Sequence, residues 1–434
     1  MDRRGFLVRT GLVLGLGGGA IAGGALAADR LSRDGSSGAA PAEPPPQPAL
    51  DDWQAVRDQF SLTRDYLHFG GLYIASHPRP VAEAIERHRL AMDENPVHYL
   101  QDNGSRLEAD VLRAAAGYLG AGPADIALTD STTMGLGLLY NGLELAAGQE
   151  ALTTRHDFFA THESLRLKAE RSGATVRTVP LYQEISRVSE DEIVTSLLRE
   201  VTPRTRVVAI TWVHSSTGLR LPVHRIADEL ARINAGREEK DRTLLCVDGV
   251  HGLGVEDVTV DGLGCDFFVA GCHKWLFGPR GTGLVWGAPR AWERMMPTIP
   301  SFSGDGTPGA MATPGGFHSF EHRWALAEAV RLHLNIGKAR VAERVHALNR
   351  QLKEGMAAMP HVTLYTPMAD SLSAGLVCFD VQGMSPRTVV QRLRDQRIIA
   401  TTTPYSPSYA RLAAGLLNSP AEVDQVLREV RALT

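Results

Sequence analysis

The chain has 434 residues, of which 44% are hydrophobic and 22% are charged, so it is long enough to bury a large core and to form two domains. Its formal net charge of −4 excludes the strongly basic composition that is typical of nucleic-acid-binding proteins. The four cysteines have no paired zinc-ligand spacing and are expected to be reduced core residues: Cys246, Cys265, Cys272 and Cys378.

The amino terminus has the features of a targeting segment. Arg3 and Arg4 precede a short, glycine-diluted apolar stretch that ends in an Ala-x-Ala sequence just before Ala28. This pattern resembles a twin-arginine signal peptide, which predicts export of the folded protein to the periplasm. We expect residues 1–28 to be the signal peptide and residues 29–50 to be a Pro/Ala/Ser-rich linker. The alternative, a transmembrane anchor, needs a run of roughly 18 or more apolar residues.

After the linker, short apolar runs alternate with helical patterns. This alternation predicts an α/β fold in which a mainly parallel, seven-stranded sheet has helices on both faces. The seven strands are expected near residues 126–129, 151–154, 174–180, 206–212, 243–248, 266–270 and 283–286.

The pattern changes from about Glu321 onward. Apolar residues then recur at three- and four-residue spacing, as in a core-facing helix: Val341, Val345, Leu348, Leu352 and Met356. We therefore expect a large domain over residues 51–320 and a smaller α+β C-terminal domain over residues 321–434. The strands of the small domain are expected near residues 362–366, 375–381 and 398–402, before a last helix that follows Ser419-Pro420.

Two of the predicted strands end near residues that carry chemistry. Asp248 closes one apolar run, and Lys274 follows another. The carboxyl ends of parallel strands meet in the crevice where α/β sheets bind ligands. A desolvated lysine has a lowered pKa and can form a Schiff base, and an aspartate can keep a pyridine nitrogen protonated so that pyridoxal 5'-phosphate (PLP) withdraws electrons. The pair therefore predicts a PLP site.

The motifs around this pair occur together in one family. They are Asp248-Gly249-Val250-His251, then Gly271-Cys272-His273-Lys274 with the Gly-Pro-Arg-Gly-Thr-Gly run over 278–283, and finally Arg411 followed seven residues later by Asn418. Through them, residues 60–432 resemble the class V branch of fold-type-I PLP enzymes, which includes cysteine desulfurases, isopenicillin N epimerases and related transaminases and lyases. The resemblance implies that Lys274 forms the internal aldimine and later removes the Cα proton, and that Asp248 pairs with the pyridine nitrogen.

The resemblance also implies a phosphate site. Ser131, Thr132 and Thr133 follow an apolar strand and open a helix, so their amides and hydroxyls are expected to face the phosphate. An ordinary helix cap is the alternative. His273 matches a histidine that contacts the phosphate, although a histidine satisfied by the backbone of the core has the same pattern. The family often has serine where this chain has Gly271, so one phosphate contact must be lost or replaced.

Further contacts to the cofactor ring follow from the same resemblance. Phe158 is the first choice for the ring that stacks on the pyridine face, and His156 is the second, although packing alone would explain a phenylalanine here. Ser215 and His251 stand where relatives often place Asn and Gln to hydrogen-bond the ring hydroxyl.

The substrate-binding residue is expected near the carboxyl terminus. Arg411 matches the family arginine that binds the substrate α-carboxylate, for which a planar two-donor group is well suited. The alternative is a surface salt bridge. Desulfurases carry a nucleophilic cysteine on the preceding loop, and this chain has none over residues 401–409, which excludes persulfide chemistry there.

Two other groups of residues bear on the predicted site. One cluster lacks the spacing of a metal site, so no metal is expected from His156, Asp157, His162 and Glu163. Gly315 and Gly316 stand in place of a Gly-Thr element that reaches the phosphate of the partner subunit. His318, His322 and Arg323 are therefore expected either to line the substrate entrance of a dimer or to serve packing and surface roles.

These residues together predict a homodimeric, exported PLP enzyme that acts on an amino-acid-like or peptide substrate and meets the twin-arginine translocase during export. Epimerisation, transamination and β-elimination all remain open. The combination of signal and domain also resembles exported PLP enzymes that tailor peptide siderophores. A periplasmic binding or scaffold protein on the same fold is the non-enzyme alternative, and the presence of Asp248, Lys274 and Arg411 together disfavours it.

Overall fold

The computed structural model describes residues 49–303 and 306–433. The predicted signal peptide, and all but the last two residues of the predicted linker, lie outside these ranges. Within them, no helix combines the length and the apolar character that a membrane crossing requires.

Helices and strands alternate through most of the chain. The helices are α1 Trp53–Arg57, α2 Arg79–Glu94, α3 Pro96–Leu119, α4 Thr132–Gly142, α5 Phe159–Ser172, α6 Glu190–Leu198, α7 Val223–Asn234, α8 Val260–Leu263, α9 Pro289–Trp292, α10 Pro308–Ala312, α11 Phe320–Ile336, α12 Lys338–Ala357, α13 Pro386–Asp395 and α14 Pro420–Arg431. The strands are β1 Leu67–His68, β2 Ile126–Thr129, β3 Glu150–Thr154, β4 Thr175–Val179, β5 Thr205–Thr211, β6 Leu244–Asp248, β7 Phe267–Gly271, β8 Gly283–Gly287, β9 Val362–Leu364, β10 Leu376–Val381, β11 Ile398–Ile399, β12 Thr401–Thr402 and β13 Ala410–Ala413.

A seven-stranded sheet forms the centre of the molecule, with the order β2-β8-β7-β6-β5-β3-β4. Strand β8 is antiparallel to both of its neighbours, and the remaining neighbours pair in parallel. The predicted fold class is therefore confirmed. Because β2 and β7 are both antiparallel to β8, β2 runs in the same direction as the parallel strands. The carboxyl ends of β2, β3, β5, β6 and β7 consequently lie at one edge.

Both faces of this sheet are covered. Alternate side chains of β5 point to opposite faces, so Val208 and Ile210 belong to one apolar cluster and Val207 and Ala209 belong to another. The first cluster includes side chains of α3, α6, α7 and α11, and the second includes side chains of α4 and α5. Strands buried on both faces need apolar residues at every position, which is why continuous apolar runs predicted them.

A four-stranded antiparallel sheet follows, with the order β12-β13-β10-β9. One predicted strand was wrong: residues 398–402 form two short strands that belong to different sheets. Of these, β11 pairs in parallel with β1, and β12 pairs with β13. The sequence did not predict β1 or β13. Helix α11 packs against α2 and α3, whereas α12 packs against α14 and β9. The domain boundary at residue 320 stays a prediction.

Candidate active site

One cavity of about 300 Å³ lies at the shared edge where β2, β3, β5, β6 and β7 end. All ten residues that were the first choices from the sequence line it: Ser131, Thr132, Thr133, Phe158, Ser215, Asp248, His251, His273, Lys274 and Arg411. The sequence did not predict five other lining residues: Leu72, Tyr73, Thr211, Val250 and Pro404. The parallel topology explains the convergence, because each strand delivers its following loop to the same crevice.

Asp248 is the last residue of β6 and is only 1% exposed. One carboxylate oxygen accepts the backbone N–H of Val250 at 3.1 Å, and the other has no partner among the described residues. Burial raises the pKa of Asp248 to about 6, while the Val250 N–H and the Lys274 amine oppose this rise. The backbone at Gly249, the next residue, packs closely against the Phe268 ring. A side chain is excluded at this position, because a Cβ would lie 2.0 Å from that ring.

Lys274 lies on the turn after β7, at the wall of the cavity. The turn is closed by a hydrogen bond from Gly278 N–H to the Cys272 carbonyl at 2.8 Å. Burial lowers the pKa of Lys274 to about 8, Asp248 opposes this change, and Arg411 adds to it. A substantial fraction of the amine is therefore neutral near pH 8, and the neutral amine is the form that attacks a carbonyl.

The amino terminus of α4 forms an anion-binding surface. Ser131 caps the helix by accepting the Met134 N–H at 3.1 Å. The backbone N–H groups of Thr132 and Thr133 have no partner in the described part of the chain, as expected for the first turn of a helix. His273 adds a buried Nδ1 that also has no hydrogen-bond partner there. The arrangement leaves several donors for a phosphate.

Gly271 has a structural reason to lack a side chain. Its backbone N–H donates to the Thr132 hydroxyl oxygen at 2.8 Å. A Cβ at Gly271 would lie 3.0 Å from that oxygen and 3.2 Å from His273 Cε1. The Thr132 hydroxyl therefore lies beside the position from which the expected serine would project.

Asp157 fixes the loop that carries the candidate stacking ring. Its carboxylate accepts the Thr153 hydroxyl at 2.8 Å and the backbone N–H groups of Thr154 and Thr211 at 2.7 and 2.6 Å. These bonds tie the end of β3 to the end of β5. The next residue, Phe158, lines the cavity.

His156, the second choice for that ring, does not line the cavity. It stacks on Tyr182 with ring centroids 4.4 Å apart, and its Nδ1 lies 3.2 Å from the tyrosine hydroxyl. Of the other residues in that cluster, His162 is 2.7 Å from the Thr154 carbonyl, and Glu163 is paired with Arg166. Across residues 49–303 and 306–433, no group of three His, Cys, Asp or Glu side chains could hold a metal.

Arg411 reaches the cavity from β13 and is 4% exposed. Its Nη1 donates to the Ser215 carbonyl at 2.8 Å and its Nε to the Thr401 hydroxyl at 3.0 Å. No described residue accepts from its Nη2, which leaves a donor for a ligand. Tyr405, which the sequence did not single out, lies 2.8 Å from the Ser215 hydroxyl and edge-on to Phe158 at 6.2 Å.

His318, His322 and Arg323, the candidates for a substrate entrance, make other contacts. His322 Nδ1 is 2.8 Å from the Arg280 carbonyl. Arg323 is 7% exposed and lies 4.0 Å from both Glu108 and Asp130. Neither residue lines the cavity, and His318 does not line it either.

Comparison with known proteins identifies the family. The sequence model of the family Aminotransferase class-V matches residues 75–415. The chain belongs to this family. Isopenicillin N epimerase of Streptomyces clavuligerus is 26% identical over 408 residues, which cover 89% of this chain and 99% of the relative. A cysteine desulfurase of Klebsiella pneumoniae is 27% identical over 377 residues, which cover 79% and 86% of the two chains.

Solved structures of the same fold extend the comparison. A cystine C–S lyase in complex with its product cysteine persulfide has a TM-score of 0.78 at 22% identity, over 85% of this chain and 98% of that one. A mutant of that lyase has glycine covalently linked to its PLP cofactor. The class-V family uses PLP, and this protein is accordingly a PLP-dependent enzyme of fold type I.

The residues of the cavity fit PLP. The free N–H groups of Thr132 and Thr133 and the unpartnered His273 nitrogen suit a phosphate. The free oxygen of Asp248 suits a protonated ring nitrogen, and the partly neutral Lys274 amine suits an aldehyde.

Proposed function

We propose that this enzyme acts on the amino group and Cα of an amino-acid or peptide-metabolite substrate, as an epimerase or a transaminase. One observation carries the proposal: Lys274, Asp248 and Arg411 face one cavity, so a base, a partner for the ring nitrogen and a carboxylate-binding guanidinium are within reach of one ligand. PLP, when bound, withdraws electrons from a carbon that is attached to the substrate nitrogen.

Each of these side chains has a defined task in the proposal. The Asp248 carboxylate holds a proton on the ring nitrogen. Arg411 binds the substrate α-carboxylate through its free Nη2 and orients Cα. Lys274 Nζ holds the cofactor before substrate binds and then accepts the Cα proton. The site returns this proton to Cα in an epimerase or to the cofactor in a transaminase.

The cysteines favour these reactions over persulfide formation. A desulfurase needs a thiolate nucleophile near the substrate. All four cysteines of this chain are buried, and burial raises the pKa of Cys272 and Cys378 to about 12. None of the four lines the cavity. A β-elimination lyase needs no thiolate and stays the second candidate, favoured by the likeness to the cystine lyase fold.

The cellular setting is also a proposal. The arginine pair and the Ala-x-Ala sequence of the first 28 residues support export of the folded protein to the periplasm by the twin-arginine route. Exposed apolar side chains support a homodimer, since Phe302 and Phe317 are 73% and 83% exposed. A periplasmic PLP enzyme would be suited to tailoring a peptide siderophore.

The reaction can be assigned with the loaded enzyme in D₂O. Candidate amino acids of both configurations and short peptides would be supplied separately. An epimerase incorporates deuterium at Cα and mixes the configurations, a transaminase releases a 2-oxo acid, and a lyase releases the β-substituent. The Lys274→Arg variant gives the background rate of deuterium exchange at Cα. If no substrate exchanges faster with wild type than with this variant, the proposed chemistry is contradicted.

A further inference from the structure

Trp275 makes a hydrogen bond that determines the state of its neighbour in the cavity. The indole is 6% exposed, and its Nε1–H donates to Nδ1 of His251 at 3.2 Å. An indole nitrogen can only donate, so His251 Nδ1 must carry a lone pair and no hydrogen. In the neutral imidazole the hydrogen therefore lies on Nε2.

That hydrogen points toward Lys274. His251 Nε2 lies 3.4 Å from Lys274 Nζ. When Nζ is a neutral amine, its lone pair can accept the Nε2–H. When Nζ is an ammonium, two N–H groups face each other and the contact is unfavourable. The ring stays neutral, because burial lowers the pKa of His251 well below its ordinary value. A protonated ring would still present Nε2–H to the ammonium and would add a like charge.

Other charged groups also act on Lys274. Asp248 favours the ammonium, and Arg411 disfavours it. His273 is a further titratable neighbour, and burial lowers its pKa as well. The His251 contact therefore acts with burial and Arg411 against the influence of Asp248.

The indole is held in place by the four-stranded sheet. Gly375 precedes β10, and a Cβ there would lie 2.5 Å from Trp275 Cη2. Gly415 follows β13, and a Cβ there would lie 3.4 Å from Cζ3. The ring thus packs against glycine backbone, which fixes the direction of its N–H.

We propose that Trp275 is a positioning residue, which holds His251 in the Nε2-protonated tautomer and thereby keeps Lys274 as the neutral amine that reacts with the cofactor. The inference rests on the proposed role of Lys274. Without the indole donor, His251 can carry its hydrogen on Nδ1 and present a lone pair to Lys274. That tautomer stabilises the ammonium, so the amine becomes less reactive near neutral pH.

The test measures how fast cofactor-free protein attaches PLP covalently at different pH values. Samples are quenched with borohydride, and the adduct on Lys274 is quantified by mass spectrometry. The rate in wild type should rise with a midpoint near pH 8. Trp275→Phe should move the midpoint up by about one unit, which slows attachment at pH 7 about tenfold. Trp292→Phe is the matched control, because Trp292 is also 6% exposed and donates to the Asp125 carbonyl at 3.2 Å outside the cavity.

A second variant keeps the outcome decisive. His251→Leu removes the donor that faces Lys274, so it should raise the midpoint, and adding Trp275→Phe to it should change nothing further. An unchanged midpoint in a folded Trp275→Phe protein overturns the inference. If that protein does not fold, an unchanged midpoint in His251→Leu overturns it. Wild type without any adduct on Lys274 would contradict the proposed function as well.

Discussion

The backbone N–H of Gly271 donates to the hydroxyl oxygen of Thr132 at 2.8 Å. This bond joins the end of β7 to the amino terminus of α4, so the segment that delivers Lys274 is tied to the proposed phosphate site. The position of Lys274 therefore depends on the position of the proposed phosphate site.

Gly271→Ala should weaken PLP binding about tenfold, or by about 1.4 kcal/mol. The new Cβ would lie 3.0 Å from the Thr132 hydroxyl oxygen and would push this hydroxyl away from its position beside the proposed phosphate site. Titration of cofactor-free protein with PLP measures the change. Gly137→Ala in α4 is the control: a Cβ there would lie 4.0 Å from Ser164 Oγ, so the affinity should not change. Wild-type affinity in Gly271→Ala would show that Thr132 does not shape the phosphate site.

Asp157→Asn should destabilise the protein by about 1–3 kcal/mol, because an amide cannot accept from all three donors that now bond the carboxylate. Urea unfolding measures this loss. Asp93→Asn removes an exposed ion pair with Arg89 and should cost under about 1 kcal/mol. Equal effects in both variants would mean that Asp157 does not fix the loop before Phe158.

Much of the central fold could be predicted because six of the seven strands of its sheet are buried along their whole length, and most of these six leave apolar runs in the sequence. The strand that carries Arg411 could not, because its sequence Ala-Arg-Leu-Ala is short and contains a buried charge. Two of its nitrogens donate to Ser215, which is distant in sequence, and to Thr401, which lies on another strand, and a local sequence pattern records neither contact.

Loop residues of the site were the hardest to predict. Tyr405 meets Ser215 across 190 positions of the chain, and no local pattern records such a contact. Phe158 lines the cavity and His156 does not. The residue between them, Asp157, bonds to the backbone of β5 and so fixes the direction of the loop, and this contact is not visible in the local sequence.

The stability of the cofactor-free protein should depend on Asp248 in a particular direction. Burial raises its pKa to about 6, so the folded protein holds this proton more tightly than the unfolded chain. The stabilisation is complete below about pH 4 and is lost as the pH rises through about 6. Asp248→Asn should therefore gain up to about 3 kcal/mol relative to wild type between pH 4 and pH 8.

Unfolding of both proteins in urea across this range checks the prediction. Saturating PLP supplies the control, because the ionised carboxylate then has a partner and wild type should become the more stable protein. A difference that does not vary with pH in the cofactor-free state would mean that Asp248 titrates normally.

Replacing Arg3 and Arg4 with lysine should retain folded, PLP-loaded precursor in the cytoplasm. In the proposed export route the translocase recognises the arginine pair, whereas the proposed cofactor site consists of later residues. Cell fractionation and amino-terminal sequencing measure the outcome, and the wild-type periplasmic form should begin near Ala28. Full-length wild type in the cytosol would contradict export. Full-length wild type in the membrane fraction would indicate an uncleaved anchor.

The central claim is that Lys274 binds the cofactor covalently. Borohydride reduction of the PLP-loaded protein, followed by peptide mass mapping, should place PLP on Lys274. The visible absorption that we expect of the loaded protein before reduction should disappear. Lys353 is an internal control, because it is fully buried and its Nζ already donates to the Pro367 and Met368 carbonyls and the Ser373 hydroxyl. Lys274→Ala should retain at most non-covalent PLP. An adduct on any other lysine, or a covalent adduct in Lys274→Ala, would contradict the account.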